Sequence, residues 1–205
     1  MSPRPAVFLD RDGTLIEERN YPVSEADLVP IKGAGYALAR LQAAGLTCIV
    51  LTNQSAVARG MLDEERLGEL HDALSARLRC DGGTWDALYY CPHHPAGKAI
   101  GYDFPCRCRK PARGLLDLAA ALHDVDLSRS YFVGDAVRDL FVDAGPAAGR
   151  ILVLTGHSLD DVSGADAVLP SVVEAVDWIL HDFAAEPSDT ADGELEAEGA
   201  VHDGD

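Results

Sequence analysis

Two aspartates, Asp10 and Asp12, stand one residue apart directly after the apolar run at residues 6–9, AVFL. Such a run predicts a buried strand of a parallel sheet. Ligands of open α/β sheets bind at the carboxyl ends of the strands, which is where both carboxylates would lie. They could hold Mg²⁺, or act as a nucleophile and a proton carrier. The alternative is a polar turn without chemistry, in which Gly13 lets the chain bend.

Hydroxyl and amide side chains follow the second predicted strand, residues 46–51. They belong to Thr52, Asn53, Gln54 and Ser55. Groups of this kind can donate hydrogen bonds to the oxygens of a phosphate. An ordinary polar turn uses the same residue types, so this segment alone does not decide the function.

A basic pair, Arg109 and Lys110, comes shortly before a predicted helix at residues 114–123. The lysine could neutralise a phosphoryl group and offset the repulsion between Asp10 and an incoming anion. The arginine offers a planar fork that matches phosphate oxygens. A solvent-exposed basic pair without a ligand is the alternative.

Two more acids follow the predicted strand at residues 131–133. Asp135 could complete a Mg²⁺ shell, because this cation prefers carboxylate oxygens. Asp139 comes one helical turn later and could support that site. The alternative is that each acid caps a helix.

The spacing of apolar residues predicts the elements that must position these groups. Predicted strands lie at residues 6–9, 46–51, 86–90, 131–133 and 151–154, and predicted helical segments at 33–44, 63–79, 114–123, 139–144 and 171–182. Strands that alternate with helices predict an α/β fold with a parallel sheet and helices on both faces. Parallel strands end at a common edge, so the polar groups after several of these strands would meet there.

These motifs resemble those of the phosphatases of the haloacid dehalogenase (HAD) superfamily. The string FLDRDGTL at residues 8–15 resembles the DxDGT motif, and Thr52, Lys110 and Asp135 follow in the order of the three later motifs. The resemblance implies a Rossmann-like HAD fold. No insertion is long enough to form a large cap domain.

The resemblance assigns a role to each motif residue. Asp10 would be the nucleophile, and Asp12 the general acid and base. Charge on the transferred group would be stabilised by Thr52, Arg109 and Lys110. A catalytic Mg²⁺ would be held by Asp10, Asp12 and Asp135, with Asp139 in support; Asp12 would contribute its main-chain carbonyl.

A second candidate metal site lies in the segment at residues 91–108. Cys91, Cys106 and Cys108 with an imidazole form a Cys₃His set that suits tetrahedral Zn²⁺, and the family resemblance implies that His93 supplies the imidazole. This segment has little apolar content, so a structural zinc could supply folding energy that it lacks. Thiolates select zinc and carboxylates select magnesium, so one chain could hold both. Free thiols with surface histidines are the alternative.

This loop narrows the resemblance to zinc-bearing HAD phosphatases that act on D-glycero-D-manno-heptose 1,7-bisphosphate. The strings YYCPHHP, CRCRKP and TNQSAVARG carry it, and it covers residues 6–156. It implies hydrolysis of the 7-phosphate through an aspartyl-phosphate, in nucleotide-activated heptose biosynthesis. It also implies substrate contacts at Glu18, Arg19, Asn20, Tyr21, Thr52, Asn53, Gln54, Ser55, Arg109 and Lys110.

Several alternative functions share part of this pattern. Histidinol-phosphate phosphatases have the same motifs and a related zinc loop, but usually with fewer residues than the twelve between His93 and Cys106. Another small sugar-phosphate phosphatase is also open. Outside the enzymes, a receiver-like phospho-acceptor module or a zinc-stabilised interaction domain could use some of the same residues.

The composition indicates one domain and an acidic tail. The 205 residues carry a net charge of −17, which disfavours nucleic acid as a partner. Residues 1–183 are predicted to form the phosphatase domain, with the zinc loop at 91–108. Residues 184–205 hold eight acids and no Lys or Arg, which predicts a disordered tail. We expect a cytoplasmic monomer with a small-molecule substrate and no membrane segment.

Overall fold

The computed structural model describes residues 3–156 and 161–185. Within them, six strands form one fully parallel sheet in the order β3-β2-β1-β4-β5-β6. The strands are β1 Ala6–Leu9, β2 Thr47–Asn53, β3 Ala87–Cys91, β4 Tyr131–Gly134, β5 Gly149–Val153 and β6 Ala167–Leu169. The main-chain N–H of Asp10 donates to the carbonyl of Val133 at 2.9 Å, so the ladder between β1 and β4 continues up to the first aspartate.

Helices cover both faces of this sheet, as predicted. The α-helices of the described residues are α1 Ala34–Ala43, α2 Glu64–Cys80, α3 Gly114–His123 and α4 Val172–Ala185. Val7 and Leu9 of β1 face the core beneath α1, α2 and α4. Ala6 and Phe8 point to the opposite face, where α3 packs. Successive side chains of a strand alternate between the two faces of the sheet, and helices cover both faces here. All four residues of β1 are therefore buried.

The helix predicted at residues 139–144 is wrong. Two separate 3-10 turns, Val137–Asp139 and Val142–Ala144, occupy this region. Phe141 stands between them with φ +46°, and its ring packs on Phe132 at 5.7 Å. A left-handed residue interrupts a helix, and the buried contact of this ring stabilises the interruption.

Strand β6 was not predicted. It is three residues long and its middle residue, Val168, is exposed. A segment this short shows no periodicity that distinguishes a strand from a loop. Pairing with β5, rather than its own pattern, makes it a strand.

The segments that follow β1 and β3 at the carboxyl edge of the sheet are long and contain little regular secondary structure. Residues 10–33 hold only the 3-10 turn Glu25–Asp27, and residues 92–113 contain no helix or strand. No helix in residues 3–156 and 161–185 is long and apolar enough to cross a membrane. Of the predicted tail, residues 184 and 185 belong to α4, and residues 186–205 lie outside the described part of the chain.

Candidate active site and candidate metal centres

A polar cleft lies at the carboxyl edge of the sheet and gathers most of the predicted site residues. It is lined by Asp10, Asp12, Glu18, Asn20, Tyr21, Pro22, Thr52, Asn53, Gln54, Ser55, Arg109, Lys110, Arg138 and Asp139. Asp135 is 1% exposed and does not line the cleft. Arg19, a predicted substrate contact, does not line it either, and its guanidinium pairs with Glu17 at 2.5 Å.

Lys110 is buried at the centre of the site. Its Nζ donates to Asp10 Oδ1 at 2.6 Å and to the carbonyl of Leu51 at 2.6 Å. The same atom lies 2.7 Å from Asp139 Oδ1. An ammonium group has three donors, and two of them are used by Asp10 and Leu51, while the contact with Asp139 is an ion pair. The lysine is therefore fixed beside the predicted nucleophile.

Asn53 holds the main chain of Lys110 in place. Its side-chain amide donates to the carbonyl of Lys110 at 3.2 Å and accepts from the N–H of Lys110 at 3.0 Å. This residue at the end of β2 was predicted as a substrate contact. Its two hydrogen bonds show that it also ties the basic pair to the sheet.

Burial and charge act in opposite directions on the central ion pair. The pKa of Asp10 is raised to about 7: burial is the largest cause, the charge of Lys110 opposes the rise, and the nearby carboxylates of Asp139 and Asp135 add to it. Burial alone would lower the pKa of Lys110, but the carboxylates of Asp10 and Asp139 outweigh it and raise that pKa. A cluster of acids around one lysine has a surplus of negative charge, which favours a bound cation.

Asp10, Asp135 and Asp139 form the candidate site for that cation. Each offers a carboxylate oxygen, and the three oxygens lie within 4.8 Å of one another. A Cβ on Gly156 would lie 2.1 Å from Asp135 Oδ2, and one on Gly13 would lie 2.6 Å from it. Because glycine has no Cβ, the backbone at both positions can lie close to this carboxylate. Three hard oxygen ligands fit the preference of Mg²⁺.

The carboxylate of Asp12 lies apart from this group. It is paired with Arg11 at 2.8 Å and accepts a hydrogen bond from Gln54 at 2.7 Å. The contact of its main-chain carbonyl with Mg²⁺, which the family resemblance implies, stays a prediction. Arg11 was not predicted to be functional, although its place between the two aspartates was a possible signal.

Arg138 is a second residue that the sequence interpretation missed. It lines the cleft with a 43% exposed side chain, 3.8 Å from Asp135 Oδ1 and 4.0 Å from Asp139 Oδ1. It belongs to the 3-10 turn Val137–Asp139 and directly precedes the helix that was predicted at residues 139–144. Its position between Asp135 and Asp139 in the sequence was the signal that could have identified it.

Glu18, Asn20 and Tyr21 form one wall of the cleft on a strained loop. Asn20 and Tyr21 have φ values of +48° and +68°. The main-chain N–H of Asn20 donates to Glu18 Oε1 at 2.7 Å, and the guanidinium of Arg59 lies 4.7 Å from the centre of the Tyr21 ring. Left-handed backbone at a tyrosine is unusual and is often found at ligand sites.

The four predicted zinc ligands converge beside the cleft. The sulfur of Cys108 lies 3.2 Å from those of Cys91 and Cys106, and 3.4 Å from Nδ1 of His93. These sulfurs are too far apart for disulfides, whose S–S bond is about 2.05 Å. All four ligand atoms lie within 4.8 Å of one another, so the cluster could hold a tetrahedral metal ion.

This cluster is connected to the catalytic edge. Arg109 follows Cys108 in the chain, and its guanidinium donates to the carbonyl of His93 at 3.3 Å. The ring of His93 packs on Phe104 at 4.5 Å. The positions of Cys108 and His93 therefore help to fix the position of Arg109.

Comparisons with known proteins agree with this geometry. The HAD-hydrolase-like family pattern matches residues 107–184. The D-glycero-β-D-manno-heptose-1,7-bisphosphate 7-phosphatase of Haemophilus ducreyi is 38% identical over 182 residues, which cover 86% of this chain and 98% of that protein. The chain belongs to the HAD-like phosphatase family.

Other members of this family support the same relationship. The Escherichia coli K12 protein named for the same reaction is 34% identical over 184 residues, which are 89% of this chain and 92% of that protein. A solved D,D-heptose 1,7-bisphosphate phosphatase from B. bronchiseptica, complexed with magnesium and phosphate, is 33% identical, with a TM-score of 0.75. That match covers 87% of this chain and 99% of the solved one.

The HAD fold and the phosphatase activity predicted from the sequence are confirmed by these relatives. HAD phosphatases use Mg²⁺, and the carboxylate group of this phosphatase suits that ion. A phosphatase is thus favoured over the receiver-like module and the zinc-stabilised interaction domain.

Proposed function

We propose that this phosphatase hydrolyses the 7-phosphate of D-glycero-β-D-manno-heptose 1,7-bisphosphate through an aspartyl-phosphate on Asp10. The buried pair of Asp10 and Lys110, at 2.6 Å in an open polar cleft, carries the proposal. An aspartate held against a lysine suits attack on a phosphorylated substrate, because the lysine offsets anionic repulsion. The substrate follows from the names of relatives that the chain matches over nearly their whole length.

The reaction divides between the two aspartates. A carboxylate oxygen of Asp10 attacks phosphorus and breaks the bond to the C7 oxygen, which receives a proton from Asp12. Asp12 then takes a proton from the water that attacks the aspartyl-phosphate, and phosphate leaves as Asp10 is regenerated. Thr52, Lys110 and Arg109 line the cleft where they can donate to the phosphoryl oxygens.

Asp10, Asp135 and the carbonyl of Asp12, with Asp139 in support, would hold Mg²⁺, which when bound would supply positive charge to screen these carboxylates from the phosphoryl dianion. The surplus of buried acids over Lys110 supports this assignment. The cysteine cluster is proposed to hold a structural Zn²⁺ through Cys91, His93, Cys106 and Cys108.

The experiment that tests this function is phosphate release with Mg²⁺ from three substrates. These are the α and β anomers of D-glycero-D-manno-heptose 1,7-bisphosphate, and histidinol phosphate. We expect the highest kcat/KM with the β anomer. A higher value with histidinol phosphate would contradict the substrate assignment, and hydrolysis of none of the three would do so as well.

We predict that Arg138→Gln weakens recognition of the second phosphate. The phosphate on C1 needs its own cation, and Arg138 is a partly exposed arginine on the cleft wall whose ion pairs with described residues are long, at 3.8 and 4.0 Å. Loss of one charge-assisted hydrogen bond should raise KM about tenfold for the bisphosphate. The same variant should hydrolyse the heptose 7-monophosphate with an unchanged KM.

The control for this prediction is Arg113→Gln. Arg113 pairs with Asp117 one turn away at 3.0 Å and does not line the cleft. Steady-state kinetics with both substrates should show no change in this control. An equal rise of KM for both substrates in Arg138→Gln would exclude a contact with the C1 phosphate.

Cys108→Ser is predicted to lose zinc and stability. Cys108 lies within 3.4 Å of all three other ligands, so its loss opens the whole cluster. A loss of about 3 kcal/mol would lower Tm by roughly 6–12 °C. Cys80→Ser is the matched control, because Cys80 is exposed at the end of α2. Elemental analysis should find one zinc per chain in the control; equal zinc in both variants would contradict the assignment.

A further inference from the structure

Arg11 is buried although it lies between the two aspartates of the cleft. It is 0% exposed, and it pairs with Asp12 rather than Asp10. Its Nε donates to Asp12 Oδ1 at 3.2 Å, and its Nη2 lies 2.8 Å from Oδ1 and 2.9 Å from Oδ2 of the same carboxylate. Burying a guanidinium group is costly unless it is paired, and in this fold the carboxylate of Asp12 compensates the charge of Arg11.

Gln54 closes a ring with this pair. Its Nε2 donates to Asp12 Oδ2 at 2.7 Å, and its Oε1 accepts from Arg11 Nη2 at 2.9 Å. Only this orientation of the amide is possible, since a guanidinium has donors alone and a carboxylate has acceptors alone. Gln54 is 3% exposed, so the ring is closed off from solvent on that side.

The ring extends to Thr52 through the second hydrogen of the Gln54 amide. Gln54 Nε2 donates to Thr52 Oγ1 at 2.8 Å. A hydroxyl that accepts in this way keeps its own hydrogen to donate elsewhere. Thr52 is thereby oriented as a donor on the wall of the cleft, where a phosphoryl oxygen would lie.

We infer that Arg11 and Gln54 are positioning residues that fix the carboxylate of Asp12 for proton transfer to the leaving group. The terminal torsion of an aspartate is soft, so a single contact would leave the carboxylate free to rotate. Contacts from two side chains to both oxygens define its plane. This inference rests on the proposed function, in which Asp12 protonates the leaving oxygen.

The ring still leaves room for the transferable proton. Arg11 Nη2 carries two hydrogens but faces three acceptors: both oxygens of Asp12 and Gln54 Oε1. One of the two hydrogens must therefore be shared between two acceptors. Asp12 Oδ2 can carry a proton while Oδ1 stays fixed by the guanidinium. The proton would pass from Oδ2 to the oxygen whose bond to phosphorus breaks.

The test compares two leaving groups in Arg11→Lys and Arg11→Met. A sugar phosphate has a poor leaving group that needs a proton, whereas p-nitrophenyl phosphate has one that does not. Because kcat/KM reports transfer to Asp10 and not later hydrolysis, it isolates this step. We expect kcat/KM to fall about 100-fold for the sugar phosphate and less than about fivefold for p-nitrophenyl phosphate.

Two further variants separate positioning from general structural damage. In an Asp12→Asn background, Arg11→Met should cause no additional loss with the sugar phosphate, because the group it positions is already gone. Gln54→Met removes no charge, so it tests the ring even if the Arg11 variants fold poorly, and the same selective loss is expected. Arg40→Gln, which removes an arginine that pairs with Asp177 outside the cleft, is the control with unchanged kinetics.

Equal losses for both leaving groups, or additive losses with Asp12→Asn, would overturn the inference. Failure of the proposed function looks different. In that case the wild-type enzyme would not release phosphate from the heptose bisphosphate, whereas the comparison of leaving groups can be made with any alkyl phosphate that it hydrolyses.

Discussion

Asp10→Asn is expected to lower kcat by about 10³-fold or more, because an amide cannot replace the carboxylate as a nucleophile. The residue lies at the end of the central strand β1, where Lys110 holds it at 2.6 Å. No neighbouring acid can take over, since Asp139 is itself paired with Lys110 and Asp12 is held by Arg11. Phosphate release with Mg²⁺ measures the loss.

The same substitution should leave the fold intact. Burial and the neighbouring acids Asp135 and Asp139 raise the pKa of Asp10, so a neutral amide relieves repulsion at this position. Lys110 retains Asp139 and the carbonyl of Leu51 as partners. We therefore expect a Tm equal to or above that of the wild type.

Mass spectrometry after mixing with substrate provides a second measurement for Asp10→Asn. The wild type should show a phosphorylated species, and the variant should show none. Asp143→Asn, which changes an exposed acid outside the cleft, is the matched control and should keep full activity. A kcat for Asp10→Asn within tenfold of the wild-type value would exclude Asp10 as the nucleophile.

Lys110→Met is expected to reduce both activity and stability. Activity should fall by about 10²–10³-fold, because a fixed donor to the phosphoryl group is lost. Removing one partner of a buried ion pair costs roughly 3–5 kcal/mol, since the remaining charge has no compensation. In this protein two buried carboxylates, those of Asp10 and Asp139, would both lose the ammonium group of Lys110 as their partner.

Thermal unfolding with and without Mg²⁺ tests the electrostatic reason for this loss. Without the lysine, the three acids of the candidate site have a larger negative charge. Mg²⁺ should therefore raise the Tm of Lys110→Met more than that of the wild type. Adding Asp10→Asn to Lys110→Met should recover part of the lost stability.

Lys98→Met, which removes an exposed lysine, is the control and should unfold like the wild type. If Mg²⁺ raised the Tm of Lys110→Met and of the wild type equally, the result would contradict the proposal that the lysine and Mg²⁺ interact with the same carboxylates.

The sequence alone determined the fold class, the order of the motifs and the candidate ligands. Apolar runs followed by polar residues predicted strands whose ends meet, because parallel strands terminate at a common edge of the sheet. Asp10 and Thr52 could therefore be placed in one cleft from their positions after strands, the family resemblance added Lys110, and the structure brings all three together. The close spacing of Cys91, His93, Cys106 and Cys108 likewise predicted the cluster seen in the structure.

Only the tertiary structure decided where individual side chains point. Arg11 and Arg19 are both arginines of the first loop, yet one is fully buried against Asp12 and the other pairs with Glu17 outside the cleft. Arg138 lines the cleft from the 3-10 turn Val137–Asp139, an element that was not predicted. Periodicity reports which face of an element is apolar, but the direction of a polar side chain depends on partners distant in the chain, such as Gln54 for Arg11. Those partners are set by packing, and packing exists only in the folded chain.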